Sequence, residues 1–334
     1  RDRYYIISGE ASGDLHGSNL MKALFLEDKH AEIRFWGGDL MAEVGGTLVK
    51  HYKERAFMGF AEVITNISTL LGFIKFCKED ISKFNPDKLI FIDNSGFNLR
   101  IAKWAKTNNF YTIYYISPQV WASRSGRVKD IKRDIDEMYV ILPFVEDFYK
   151  KHDYKVTFVG HPLLDAIANR KQARESEFRK EYNLGEKPII ALLPGSRKQE
   201  ITKLLAVMLK MADKFTDYQF VIAGAPSQDY QFYQQFISKE NVKFISDRTY
   251  DLLSLSYAAI VTSGTATLET ALFKVPEIVC YKTSWLSYQI GKRLINLKYI
   301  SLVNLIMDKE VVQELIQNDF NDKTLEYELH KILD

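Results

Sequence analysis

Short apolar runs recur along the whole chain, each followed by a stretch whose apolar positions fall at helical spacing, and this alternation leaves few folds open. The first series is Tyr4 to Ile7, Ile33 to Trp36, Lys88 to Asp93, Thr112 to Ile116, Met138 to Leu142 and Val156 to Val159. The second is Ile189 to Leu193, Gln219 to Ala223, Val242 to Ile245, Ala259 to Val261 and Ile278 to Tyr281. A parallel neighbour is reached only through a crossover, so strands alternating with helices build parallel sheets whose two faces the helices cover. The predicted fold class is α/β, with two doubly wound parallel sheets. Between the series, 169–187 is rich in Lys, Arg, Glu and Gln and reads as a solvated helix plus linker. The expected organisation is an N-terminal domain over 1–168, a linker over 169–187, a C-terminal domain over 188–307 and a helical tail over 308–334.

Composition limits the function. A chain of 334 residues, 46% apolar and 26% charged, can bury two cores of ordinary size. Its net charge of +2 gives no electrostatic footprint for nucleic acid, which argues against that partner, although Arg124, Arg127, Lys129, Lys132 and Arg133 form a local candidate anion site. Cys77 and Cys280 stand far apart in apolar stretches, without metal-ligand spacing, and read as reduced, buried thiols. The chain runs from Arg1 directly into a strand with no secretory h-region, so an intracellular protein is expected. Segment 56–77 is unusually apolar, and Val63, Ile64, Ile67, Leu70, Leu71 and Ile74 recur there at helical spacing. Glu62, Thr65, Asn66, Ser68 and Thr69 make it a poor membrane span. Two readings of it stay open at this point, a core-facing helix and a helix lying in a membrane interface.

Ligands of open parallel sheets bind beyond the carboxyl ends of the strands, so those positions are the candidate sites. The turn Ser8-Gly9-Glu10-Ala11-Ser12-Gly13-Asp14 follows a strand, opens a helix and carries Glu10, Ser12, Asp14 and His16. It has neither the dinucleotide fingerprint nor a Walker lysine, but a helix N-terminus presents unpaired N–H groups and positive potential to an anion. Ser12 would also serve as an N-cap and Asp14 as a first-turn charge, whereas Glu10 has the weakest structural alternative. Pro194-Gly195-Ser196-Arg197 repeats the arrangement with an arginine that can grip a diphosphate, or else pair with Glu200. In Ser263-Gly264-Thr265-Ala266-Thr267-Leu268-Glu269, the glutamate can accept from ribose hydroxyls or simply favour the helix dipole. Asp93, at the end of an apolar run, is placed to accept a substrate proton or to cap its loop, a task Asn98 would do equally well. Trp121, ahead of Arg124 and Arg127, and His161 in Gly160-His161-Pro162 are each either structural or cleft-facing.

Together these residues resemble the lipid-A-disaccharide synthase family. The likeness rests on Ser8 to Gly17, Met58-Gly59-Phe60, Ile92-Asp93, Phe97-Asn98, Ser117-Pro118-Gln119-Val120-Trp121-Ala122, Leu142-Pro143-Phe144, Gly160-His161-Pro162, Leu193 to Arg197 and Ser263 to Glu269. It implies two Rossmann-like domains of the GT-B type facing across a cleft, the first serving acceptor and membrane, the second UDP. The implied reaction transfers 2,3-diacylglucosamine from its UDP donor to 2,3-diacylglucosamine 1-phosphate, with inversion, giving the beta-1′,6-linked disaccharide and UDP. Asp93 is the implied base, Glu10 and Ser12 match the first-domain site, and Ser196, Arg197, Glu269 and Asn304 match positions near UDP. His16, Trp121, Arg124 and His161 are the further acceptor or cleft candidates. Neither metal nor cofactor is expected, because Arg197 and its helix N-terminus would stabilise the departing diphosphate. Since both implied substrates carry acyl chains, the resemblance turns 56–77 towards interfacial contact, on the cytoplasmic face of the inner membrane, and it allows without requiring a homo-oligomer. A UDP-N-acetylglucosamine 2-epimerase is the runner-up, and a silent sugar-nucleotide sensor the reading from a different class.

Overall fold

Each apolar run becomes a parallel strand. In the first half the elements are β1 (Arg3–Ile7), α1 (Ala11–Glu27), β2 (Glu32–Gly37), α2 (Asp39–Val44), β3 (Thr47–His51), α3 (Ile67–Phe84), β4 (Lys88–Ile92), α4 (Ser95–Thr107), β5 (Thr112–Tyr115), α5 (Val128–Asp134), β6 (Glu137–Val140), α6 (Pro143–Lys150) and β7 (Thr157–Phe158). They are followed by α7 (Pro162–Ala168), α8 (Glu175–Glu181), β8 (Ile189–Leu193), α9 (Lys198–Lys214), β9 (Gln219–Gly224), α10 (Tyr230–Gln234), β10 (Val242–Ser246), α11 (Thr249–Leu255), β11 (Ser256–Thr262), α12 (Thr265–Leu272), β12 (Glu277–Tyr281), α13 (Leu302–Met307), β13 (Gln313–Ile316) and α14 (Asp322–Leu333). This computed structural model describes residues 1–55, 67–118, 125–238, 241–283 and 299–334. The chain divides into two units, Arg1–Pro162 and Leu163–Asp334, each built on its own sheet.

The strand orders are β3-β2-β1-β4-β5-β6-β7 and β10-β9-β8-β11-β12-β13, with parallel pairing throughout. In each sheet the winding reverses once, between β1 and β4 in the first and between β8 and β11 in the second. Such a reversal sends the two flanking crossovers to opposite faces and opens a crevice at the carboxyl ends of the central strands. The core follows the two-residue period of a strand buried on both sides. Ile190 and Leu192 of β8 join Phe220, Ile222 and Met208 on one face, while Ile189, Ala191 and Leu193 join Val221, Val261 and Phe178 on the other.

Two strands escape the apolar-run criterion. β3 has two exposed and three half-buried residues and sits at a sheet edge, where water replaces one apolar layer. β13, in the tail expected to be helical, buries only Leu315 and is the other sheet's edge. The rest of that tail is no appendage, because Leu325, Leu329 and Leu333 of α14 are part of the second core. Within 169–187, α8 likewise contributes Phe178, which is 1% exposed.

The helix α3 docks by its C-terminal half. Ile74, Cys77, Ile81 and Phe84 are buried, and Asp80 accepts hydrogen bonds from the Tyr5 hydroxyl at 2.8 Å and from Arg34 at 2.7 and 3.1 Å. Ile67 and Leu71, in its first two turns, remain 57% and 56% exposed. The expected stripe is thus divided: Ile74 belongs to the core and is no membrane contact, Leu70 is half-buried, and Val63 and Ile64 lie outside the described residues. No described helix is long and apolar enough to cross a membrane.

Candidate active site

The β1–α1 and β4–α4 turns meet at the switch point of the first sheet, and the glycines of the first motif are shaped by that meeting. A side chain on Gly9 would run into Asn94, one on Gly13 would come within 2.9 Å of Ser8 Cβ, and one on Gly17 within 2.6 Å of Met41 Sδ. Gly9 and Gly13 of the turn, and Gly17 further along α1, thus make room for neighbouring side chains. Asp14 also has a different task from the one expected. Its buried carboxylate accepts from the backbone N–H of Gly38, Leu40 and Met41 at 2.8 to 3.1 Å, capping α2 instead of decorating α1. The N-cap of α1 is Glu10, whose side chain makes no capping bond, and Glu10 and Ser12 are both exposed at the rim.

Asp93 sits directly after β4 with φ 45°, and Asn94 follows with φ 49°, two consecutive left-handed residues without the freedom of glycine. Ile116, after the neighbouring β5, has φ 66°, a costly state for a β-branched residue. Strain of this kind persists where surrounding bonds over-determine the backbone. Here the Asp93 carbonyl accepts from Asn98 Nδ2 at 2.9 Å and from the Tyr114 hydroxyl, while Asn98 Nδ2 also reaches the carbonyls of Ile7 and Ile92 at 3.2 and 3.3 Å. Asn98 is thus no N-cap, a position that Asn94 holds. It is fully buried and ties the ends of β1 and β4 together. The consequence is a backbone clamped from behind with its carboxyl group left free of that clamp. Burial, joined by the negative charge of Glu10 and opposed by the Asn94 N–H, pushes the Asp93 carboxyl up to about 7.

His16 is buried, with Nδ1 lacking a hydrogen-bond partner among the described residues, and His161 is half-buried. Burial lowers both rings to about 4, with His161 adding to the shift on His16. Both imidazoles are therefore neutral at pH 7 and bring no positive charge to the rim. Trp121 and Arg124 lie outside the described residues.

The second switch point gathers the turns after β8 and β11. Gly195 has φ 105°, and Ser196 and Arg197 are exposed ahead of α9, with the Ser196 carbonyl held by Gln228 Nε2 at 2.8 Å and Ser227 Oγ at 3.2 Å. Gln228, which nothing in the sequence singled out, is buried by this bond. Gly264, with φ 146°, has open space where a side chain would stand, so backbone is accessible at the start of α12. Glu269 is half-buried, raised by burial and partly drawn back by Tyr250 beside it.

Asn304 is bonded by its own chain. It is fully buried, its Oδ1 accepts from the N–H groups of Val311 and Val312 at 2.7 and 3.0 Å, and its Nδ2 donates to the Val312 carbonyl and to Glu314, both at 2.9 Å. With these bonds made, the side chain fixes the loop between α13 and β13, and a direct contact with nucleotide is not what it presents.

A family model described as lipid-A-disaccharide synthetase matches residues 4–334. A lipid-A-disaccharide synthase of Syntrophus aciditrophicus is 41% identical over 98% of this chain and 87% of its own. One from Coxiella burnetii is 37% identical over 98% of this chain and 88% of its own. Among solved structures, a putative UDP-N-acetylglucosamine 2-epimerase from Listeria monocytogenes superposes with a TM-score of 0.70 at 13% identity, covering 100% of this chain and 88% of that one. Identity that low speaks for a shared fold alone, and the epimerase alternative gains nothing from it.

Proposed function

The chain belongs to the lipid-A-disaccharide synthetase family, and on that premise we propose how the residues at its two switch points divide the reaction. It is a hexosyltransferase of lipid A biosynthesis with the GT-B fold, using a UDP-sugar donor and a lipid acceptor. We infer that the donor is UDP-2,3-diacylglucosamine and the acceptor 2,3-diacylglucosamine 1-phosphate. Asp93 takes the proton of the acceptor 6-hydroxyl as that oxygen attacks the anomeric carbon of the donor. The bond from that carbon to the diphosphate breaks, its electron pair leaves on UDP, and the configuration inverts in one displacement.

One observation carries this reading: a carboxyl group at the rim of the first sheet, on a backbone clamped by Asn98 and Tyr114, with its acidity brought near 7 by burial and Glu10. A base matched to the working pH combines the ionised form with enough basicity to accept a proton, which is the condition for efficient general-base catalysis. Glu10 tunes that carboxyl, and Ser12 offers a hydroxyl to the acceptor beside it. Ser196 and Arg197 hold the diphosphate and stabilise the charge that grows on it, and Glu269 receives the ribose hydroxyls. Asn304 serves the nucleotide through the loop it fixes. The exposed Ile67 and Leu71 support peripheral contact with the cytoplasmic face of the inner membrane, where acylated substrates reside.

The test is a product assay with both acylated substrates in detergent. The wild-type chain should form disaccharide and UDP in equal amounts, and Asp93→Asn should lose about 10²- to 10⁴-fold in rate while still binding UDP. Disaccharide formation by Asp93→Asn at the wild-type rate would remove Asp93 from the chemistry.

A further inference from the structure

Two features mark Gly195. Its φ of 105° belongs to the region that favours glycine, and a side chain there would collide with the carboxylate of Glu200. That carboxylate, from the first turn of α9, folds back over the turn, and its Oε1 accepts from the Ser196 N–H at 3.3 Å. The sequence offers an ion pair with Arg197 as the obvious use of Glu200, whereas in the structure the hydrogen bond goes to the backbone. The charge of Arg197, one residue ahead of α9, acts on it, and its own charge reaches Tyr281 at the end of β12.

An anion at the N–H groups that open a long helix is the arrangement in which phosphates are bound. Here an internal anion sits at that position, and at 3.3 Å it is held at the long end of hydrogen-bond geometry, hence weakly. We propose that Glu200 is an intramolecular stand-in for the diphosphate, resting on the Gly195–Ser196 turn in the absence of nucleotide and displaced when the UDP-sugar enters. The proposal rests on the reading that Ser196 and Arg197 hold the diphosphate. Glu200 is then a residue that sets nucleotide affinity: the donor must evict it, and after transfer its return, with like charge facing like, speeds the release of UDP. Burial pushes the Glu200 carboxyl above its ordinary range while the Ser196 N–H and Arg197 draw it part of the way back, the balance of a carboxylate that its neighbours satisfy only in part.

Calorimetric titration of the full chain with UDP and, separately, with uridine tests this. Glu200→Gln should bind UDP about tenfold more tightly than wild type, since the competing charge for one N–H donor is gone, with uridine affinity unchanged. Product inhibition by UDP should strengthen by the same factor. Glu200→Asp keeps the charge but shortens its reach, and should tighten UDP binding by a smaller factor, which keeps the test open if the glutamine variant folds poorly. Equal or weaker UDP binding by both variants, with uridine unaffected, would overturn the proposal. If wild type binds no UDP, or Arg197→Ala binds it as wild type does, the reading of the second switch point fails first and the stand-in falls with it.

Discussion

Glu277 opens β12 only 4% exposed, and neither of its carboxyl oxygens has a hydrogen-bond partner among the described residues. Burial pushes it from the ordinary 4.5 up to about 9, so the folded chain keeps its proton where the unfolded chain has lost it. The unfolded state then binds fewer protons over that window, and stability falls as pH rises, by about 1.4 kcal/mol per unit at most. Glu277→Gln should match wild type at pH 4 and be more stable by up to about 5 kcal/mol at pH 8 in denaturant titrations. A difference independent of pH would contradict this. Asn304 is the opposite case, a buried polar group with its bonds made. Asn304→Ala should lower stability by about 2–4 kcal/mol and weaken UDP binding with it, while Arg197→Ala weakens UDP binding without moving Tm. Loss of UDP binding by Asn304→Ala at unchanged Tm would mean a direct contact after all. What the sequence disclosed at this scale was position, because a residue just after an apolar run must lie on the rim, as Asp93 does. It did not disclose partners. That Asn98 ties two strands and that Asp14 caps a second helix both depend on chain segments brought together only by folding.

Among the elements, α3 divides its apolar residues between two environments. Each fully buried aliphatic side chain contributes about 1.5–3 kcal/mol, so Ile74 and Ile81 hold the helix to the sheet while Ile67 and Leu71 contribute little to folding. Lys50 stands over the Phe76 ring at 4.9 Å, adding positive charge beside the exposed Phe76 of the same helix. The double variant Ile67→Ser/Leu71→Ser should keep its Tm and bind vesicles of phosphatidylethanolamine and phosphatidylglycerol about tenfold less in co-sedimentation. Unchanged vesicle binding would place membrane contact elsewhere. Helical periodicity alone could not separate these two sets, because a face continuous in sequence leaves the edge of the core partway along the helix. The missed strands have a related cause. β3 and β13 lie at sheet edges, so the burial that writes an apolar run into β8 is not demanded of them.

For the molecule as a whole, the two reversals of strand order are the organising fact. Each places one of the motif turns legible in the sequence, Ser8 to Asp14 and Pro194 to Arg197, beside a second turn from the other side of the reversal. The α/β alternation made the parallel sheets legible, but the order of strands, and with it the meeting of Gly9 with Asn94, is a property of crossovers that no local pattern encodes. Family membership supplies the reaction, and at the rim of the first sheet stands the base we propose for it, a carboxyl group whose acidity is set by burial and Glu10. The most direct test of that claim is the pH dependence of kcat/KM for disaccharide formation in wild type and Glu10→Gln. The wild-type rate should fall about tenfold per unit on the acid side of a midpoint near 7, and removing the Glu10 charge should shift that limb to lower pH. A profile that stays flat through 7, or an acid limb that Glu10→Gln leaves in place, would contradict Asp93 as the base.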